Sequence, residues 1–534
     1  MAKVVKEDPP TELRISLHDR GMTPVLRAGL GGLAAALNAV PKDTLAKHGE
    51  WKVEPRAVTL RWHKPGHASN FFKALFAECF RIDKAGLVDL PATYTGTQDL
   101  SVRACLQDAL RQTFLQHGKS AEKAGKPRPL TLEIDGVSRA VGVQPYKWFA
   151  HQDAYVDIAK ELDRPAGKQS TLELASWANP GAVERHVGLG VTKIEYTAAE
   201  ALCAIFSLVG TISLHIPHGG ALLICEPSDL LRFAHARPRL SPKSLPSCYV
   251  AGGGDALLSV EVALRAATVR DDSAAVSAVT GWILRSTAWA RQQKSRVQVL
   301  PPARHSEATL SAFQDLASAL PARIVPVAAK KKGELDGFFG SPSVLRGFTT
   351  ENLAQGRPWH HGFATAKTAE DRPHFIHYFR AREGLGALRF PDDKKGLQVM
   401  TEHLDESEST LVRSVHTALR QRFGAIWDET RTNPAAFGKR CQGEREKWRL
   451  AFAGAKTRDQ VRFALADLWS RAGTVKELQS GWQAVVSLLQ DDNWQAARDL
   501  ALVALASYEG RGTAPNSAAD DSLGNQLEER KGTP

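Results

Sequence analysis

The chain has three methionines, Met1, Met22 and Met400, and six cysteines without a single Cys-x-x-Cys pair. Cys79, Cys105, Cys203, Cys225, Cys248 and Cys441 are scattered, which excludes a disulfide framework and a zinc ribbon. They read as small buried residues of a reducing cytoplasm. No apolar run reaches the ~18 residues that a membrane-spanning helix needs. The stretch Met1–Pro10 has no apolar core of the kind a signal peptide carries. There is no Walker A loop, no His-Glu-x-x-His, no Gly-x-Ser-x-Gly and no Gly-x-Gly-x-x-Gly after a strand. These absences point to a chain with no catalytic residue, no resident metal and no cofactor.

Three weaker chemical signals remain. Gly252-Gly253-Gly254 before a helix could cradle a phosphate, but the accompanying Lys is missing. His18-Asp19 is a lone dipeptide, and a metal-dependent phosphohydrolase needs more converging ligands. His360, His361, His374 and His377 cluster among aromatics without a carboxylate or cysteine pattern, so stacking or phosphate contact fits them better than metal.

What is abundant is positive charge. The formal net charge is +11 over 534 residues. Residues 401–510 are balanced, so the excess belongs to residues 1–400. A polyanion, most simply nucleic acid, is the natural partner. Gln116–Arg128 carries Lys119, Lys123, Lys126 and Arg128 on a Gly- and Pro-broken loop. Lys330, Lys331 and Lys332 form a compact patch, and Arg431, Lys439, Arg440, Arg445, Lys447 and Arg449 form a stripe in the helical end. Such residues neutralise phosphates and release counterions.

The fold class read from periodicity is α+β: a mixed N-terminal region followed by a C-terminal all-α helical bundle. Residues 1–12 are expected to be disordered, 13–400 to form the α+β region, 401–510 the bundle, and 511–534 a disordered tail. Within the first region the key helix is Gly21–Val40. Thr23 is its cap, Pro24 its first residue, and Leu26, Leu30, Leu33 and Leu37 its apolar face. Gly29, Gly31 and Gly32 each cost about 1 kcal/mol relative to Ala inside a helix, so close backbone approach is expected there. Leu130–Ile134 and Val137–Val143 read as a hairpin around Asp135-Gly136. Ser228 is expected to cap the next helix. Five bundle helices are expected, beginning near Glu408, Ala435, Thr457, Thr474 and Asn493.

Gly21–Leu33 (GMTPVLRAGLGGL) resembles the N-terminal signature of the large subunit of type I CRISPR interference (Cascade) complexes, Myxan branch. Three further segments agree in order: Pro180-Gly181-Ala182 with Arg185-His186 and Phe206–Gly210, then Glu351–Ala354 with Pro358-Trp359 and Gly362-Phe363, then Ala497–Ala501. The resemblance covers about residues 13–510. It implies a non-catalytic subunit that reads a protospacer-adjacent motif in double-stranded target DNA, aids unwinding and supports the displaced strand of the R-loop in antiviral defence. The implied partners are a CRISPR RNA, the backbone subunits, a small subunit and a separate helicase-nuclease. The family's C-terminal bundle resembles the small subunit, and Met400 falls at the bundle's start, where translation could also begin. Asn179, Arg185 and His186 are the expected base readers, because amide and guanidinium groups match base edges. Lys119, Lys123, Lys126 and Lys330–Lys332 are the expected phosphate contacts. Alternatives are a metal-dependent nuclease and a regulatory scaffold outside interference.

Overall fold

A computed structural model of the chain describes residues 8–116, 119–134, 136–181, 194–267, 275–285, 297–329, 334–367, 393–431, 433–490 and 493–508. The chain divides into two compact units, Met1–Gly356 and Arg357–Pro534.

In the first unit, β1 (Glu12–Ser16) leads into α1 (Pro24–Ala39), β2 (Gly49–Val53) and β3 (Ala57–Trp62). The strands form an antiparallel sheet in the order β1-β3-β2. Helix α1 starts where the sequence places it: Thr23 Oγ1 accepts the Leu26 N–H at 3.4 Å and Pro24 opens the first turn. The expected apolar face is only half of its buried surface. Leu26, Leu30, Leu33 and Leu37 are buried, and so are Ala28, Ala34, Ala35 and Ala36. A helix buried all round lies at the centre of a core, and its small residues form the second face.

Next come α2 (Ala68–Cys79), α3 (Leu100–Thr113), β4 (Ala121–Lys123), β5 (Arg128–Ile134), β6 (Val137–Val143), β7 (Tyr146–Phe149), α4 (Tyr155–Leu162), β8 (Leu172–Leu174) and β9 (Ile194–Tyr196). Strands β4 and β7, β5 and β6, and β8 and β9 pair two by two. Helix α5 (Ala198–Gly210) lies directly against α1. A Cβ on Gly29 would overlap the Cys203 carbonyl oxygen, and one on Gly32 would overlap that of Phe206. The glycines are therefore required by close helix approach, as expected. Phe76 of α2 meets Phe206 of α5 edge to face at 5.4 Å, which ties α2 to the same core.

Beyond α5, β10 (Ile212–Ile216), β11 (Gly219–Pro227), β12 (Val276–Arg285) and β13 (Val297–Leu300) form an antiparallel meander. Helices α6 (Leu230–Leu240) and α7 (Gly253–Ala267) are inserted between β11 and β12. The cap of α6 is Asp229, not Ser228: its carboxylate accepts the Arg232 N–H at 3.0 Å. Then follow α8 (Glu307–Ala319), β14 (Arg323–Val327), β15 (Gly337–Ser341) and α9 (Val344–Ala354).

In the second unit the described residues 357–367 are turns, and those from Asp393 to Ser507 are helices and their short connections. Helices α10 (Asp393–Thr401), α11 (Glu406–Thr430), α12 (Pro434–Gly454), α13 (Arg458–Ala472), α14 (Lys476–Leu488) and α15 (Trp494–Ser507) follow one another. The last five correspond to the five expected from periodicity. Helix α11 begins with a capping box in which Asp405 and Glu408 satisfy each other's backbone N–H groups. Asp499 on α15 is buried, and its carboxylate accepts the N–H groups of Gly362 at 2.8 Å and Ala364 at 3.0 Å. The mixed region followed by a helical bundle is the fold class that the sequence implies.

Candidate nucleic-acid interface

The basic loop after α3 is shaped by a bulge and a turn. Strand β4 pairs β7 with a register shift between Glu122 and Lys123. The Ala124 N–H then bonds the Pro145 carbonyl at 2.9 Å, and Gly125 takes φ +85°, a left-handed conformation that glycine adopts without strain. The Gln144 side-chain amide holds that turn by bonding the Gly125 carbonyl at 3.0 Å. Glu122, the only acid of the loop, pairs with Lys147 at 2.5 Å. Lys119, Lys123, Lys126 and Arg128 are all exposed. Lys123, Lys126 and Arg128 form no ion pair among the described residues, so their charge faces solvent.

The β5–β6 hairpin has the expected register around Gly136, whose φ of +73° fits the turn. It buries Leu132, Ile134 and Val141 against Val102 and Cys105 of α3 and against Tyr249 and Ile324. Its partner segment arrives at Gly142. The Gly142 N–H bonds the Asp336 carbonyl at 2.7 Å, and Val141 bridges Asp336 in parallel. A Cβ on Gly142 would stand 2.9 Å from Leu335 Cβ and 3.4 Å from Pro127 Cβ. The Lys126-Pro127-Arg128 segment and the Leu335-Asp336 approach to β15 thus meet at one glycine. Lys330, Lys331 and Lys332 lie outside the described residues. Their flanks are anchored, since the Ala329 N–H bonds the Asp336 carboxylate at 2.9 Å.

The base-reading expectation fares differently. Asn179 is only 4% exposed, and its Oδ1 accepts the Tyr196 hydroxyl at 2.7 Å. The Gly181 N–H bonds the Thr113 carbonyl at 2.6 Å. Together with the β8–β9 pairing these bonds fix the base of the 182–193 segment. In this structure Asn179 is therefore a buried anchor with its amide oxygen taken by Tyr196. Arg185 and His186 lie outside the described residues.

The stripe on the helical unit is internally compensated. Arg440 pairs with Glu429, Arg449 with Glu446, Arg431 with Asp428, and Lys447 with Asp467 at 3.2 Å. Arg445 lies over the rings of Phe423 and Tyr508, 6.0 and 5.8 Å from their centroids. Lys439 is exposed and pairs with no carboxylate among the described residues. Sequence spacing shows the positive residues but not the acids that fold against them.

The weaker signals resolve as structure. Asp19 accepts the Ser16 N–H at 2.7 Å and closes the turn after β1. At the start of α7 the Gly254 N–H bonds the Glu351 carboxylate at 3.3 Å and the Asp255 carboxylate accepts the Ala251 N–H at 2.6 Å, so protein carboxylates occupy the place of a phosphate. His360 is buried, with Nε2 2.9 Å from Glu408 and its ring edge to face with Trp359. His374 and His377 lie outside the described residues. Among the described residues no three His, Cys, Asp or Glu side chains converge as a metal site, and no helix is long and apolar enough to cross a membrane.

One group of cations has no signal in the sequence. Arg56, Arg232 and Arg304 come from three distant segments and line one cleft.

The DevT N-terminal domain family matches residues 14–205, and the DevT C-terminal domain family matches residues 400–533. A protein of Myxococcus xanthus (strain DK1622), described as CRISPR-associated protein Cas8a1/Csx13, is 45% identical over 548 aligned residues. The match covers 98% of this chain and 94% of that relative. The first DevT match contains α1 with its glycines, and the second begins at Met400, near the end of α10. The chain thus belongs to the Cas8a1/Csx13 family, the large subunits of type I CRISPR interference complexes in the Myxan branch.

Proposed function

We propose that this chain is the non-catalytic DNA-recognition subunit of an RNA-guided surveillance complex. It holds target duplex DNA by its phosphates, reads the short motif beside the target, helps open the duplex and supports the displaced strand. Base pairing with the CRISPR RNA reads the rest. The other partners are backbone subunits, a small subunit and a helicase-nuclease that does the cutting, all in the cytoplasm. The observation that carries this reading is the junction at Gly142, where the segment of Lys126 and Arg128, which form no ion pair among the described residues, meets Leu335 and Asp336, a few residues after Lys330–Lys332 in the sequence. Exposed cations on an anchored turn make a sequence-independent phosphate grip.

The test is an electrophoretic shift of the assembled complex on targets with randomised flanking motifs. Wild-type complex should select a subset of motifs. Lys123→Glu with Lys126→Glu should weaken binding to every motif about equally and flatten the salt dependence, the signature of lost phosphate contacts. Equal affinity and an unchanged salt slope would remove the phosphate role. Cutting of DNA by the purified chain with divalent ions would overturn the non-catalytic assignment.

Translation from Met400 would supply the small subunit from the same message. The start of the DevT C-terminal match at this residue favours that reading. The bonding of Asp499 to Gly362 and Ala364 opposes a product that begins there, because its buried carboxylate would lose both N–H donors.

A further inference from the structure

Strand β15 is pressed onto the core along one face only. A Cβ built on Gly340 would overlap the ring of Tyr249, and Phe338 packs on the same core as Ile324 of β14. Successive side chains of a strand point to opposite faces, so Phe339, between them, points outward. Its ring is 48% exposed. We propose that the outward face of β14 and β15 stacks an unpaired base of single-stranded DNA on Phe339, an inference that rests on reading the chain as the support of the displaced strand.

The face is apolar beyond the one ring. Phe339 stands opposite Val325, and Gly337 opposite Val327, so all four share the outward side. Val327 is 40% exposed. Among the described residues, a Cβ on Gly337 would meet only the Cβ of Val327 within 4 Å, at 3.9 Å. The floor between Val327 and Phe339 is therefore low and open.

Leu335 closes one side of this floor. Val141 is buried and bridges Asp336 in parallel, which places those two on the core side and their neighbours Gly142 and Leu335 on the outward side. The closeness of Leu335 Cβ to the position of a Gly142 Cβ, 2.9 Å, agrees with that placement. Leu335 is 37% exposed. A single exposed apolar side chain is ordinary, but Val327, Leu335 and Phe339 gathered on one face of a short hairpin form a surface that calls for a partner.

The setting favours a nucleobase. The Leu335 edge adjoins Pro127, and Lys126 and Arg128 on either side of Pro127 are exposed and form no ion pair among the described residues. Glu334 precedes Leu335 and is exposed, whereas the Asp336 carboxylate is engaged by the Ala329 N–H at 2.9 Å. An aromatic platform with cations along its edge is the combination that holds single strands: the ring takes the face of a base and the cations take phosphates. Val325, Val327, Leu335 and Phe339 offer no hydrogen-bonding side-chain group. Stacking there tolerates any base, and nothing on those four side chains engages the 2′-hydroxyl by which a protein selects RNA.

The experiment measures binding of the full-length chain to oligodeoxythymidylate, to an abasic DNA strand of equal length, to oligouridylate and to a DNA duplex, across a salt series. Wild type should bind oligodeoxythymidylate more tightly than the abasic strand. Phe339→Ala should lose about tenfold on oligodeoxythymidylate and nothing on the abasic strand, with an unchanged salt slope and melting temperature. Phe339→Trp should keep the affinity. If wild type binds the duplex but not the single strand, or if Phe339→Ala matches wild type on oligodeoxythymidylate, this inference falls while the proposed function stands. A loss confined to oligouridylate, or equal on the abasic strand, overturns it as well. Unchanged DNA binding with failure of Phe339→Ala to enter the assembled complex assigns the face to a protein subunit instead. If wild type binds none of the probes, the proposed function falls and this site with it.

Discussion

Gly32 on α1 and Gly210 at the end of α5 meet backbone to backbone. A Cβ on Gly32 would stand 2.5 Å from the Gly210 nitrogen, and one on Gly210 would overlap the Ala28 carbonyl oxygen. Neither neighbour is a side chain that can turn away. Gly32→Ala gains about 1 kcal/mol of helix propensity, yet the overlap forces two core helices apart and the net effect should be destabilising by about 2 kcal/mol. Gly438→Ala on α12, where an added Cβ meets open space, should instead stabilise by roughly 0.5–1 kcal/mol. Denaturant unfolding of the two variants checks both signs, and a neutral Gly32→Ala would refute the close-packing account.

His151 makes the first unit sensitive to acid. Its ring is fully buried among Phe80, Phe114, Phe149 and Trp177, at centroid distances of 5.7, 6.2, 5.9 and 5.1 Å. Neither ring nitrogen has a hydrogen-bond partner among the described residues. Burial pushes its pKa down to about 3. The unfolded chain takes up a proton below about pH 6.5, whereas the folded chain does so only near pH 3. Stability is therefore full above pH 6.5 and declines as the pH falls toward 3, by about 2 kcal/mol at pH 5. His151→Leu should flatten the difference between urea midpoints measured at pH 7.5 and pH 5; a difference as large as that of the wild type would show that other groups cause it.

Arg237 closes the C-terminal end of α5. Its guanidinium donates to the carbonyls of Val209 at 2.5 Å and Thr211 at 2.8 Å and to Ser241 Oγ at 2.8 Å, all within the core. Burial lowers its pKa to about 10, and it remains charged at neutral pH beside the negative end of the helix. Arg237→Met should cost about 3 kcal/mol, because it strands two buried carbonyls. Arg237→Lys should recover little, since one ammonium cannot span three acceptors held apart. Thermal melts of both variants decide this.

The Met400 question can be settled on a denaturing gel. Met400 is buried, and Leu is close to it in volume, so Met400→Leu should leave the full-length chain intact. If internal translation supplies the small subunit, the short band disappears from the purified complex; an unchanged set of bands ends the idea. A product starting at 400 should also melt lower than one starting at Arg357, because Asp499 then lacks the Gly362 and Ala364 N–H groups. The loss expected for an unsatisfied buried carboxylate is roughly 2–3 kcal/mol.

Much of the fold was legible because it follows from short-range rules. The cap at Thr23, the four- and three-residue spacing of leucines in α1, the Gly136 turn and the five bundle helices depend on residues within one or two turns of one another. The need for glycine at positions 29 and 32 could be read too, though not the identity of the helix that demands it. Charge chemistry was not legible in that way. Asn179 reads as a base contact until Tyr196, 17 residues on, takes its oxygen. Arg440 and Lys447 read as a nucleic-acid stripe until Glu429 and Asp467 fold against them. Arg56, Arg232 and Arg304 carry no local pattern, and only the packing of three segments makes them neighbours. The sequence by itself determined the elements, their caps and the net positive charge, because backbone geometry repeats every two or 3.6 residues. The tertiary structure alone decided which cations are spent on carboxylates and which face solvent, because ion pairing acts over a few ångströms in space whatever the separation along the chain.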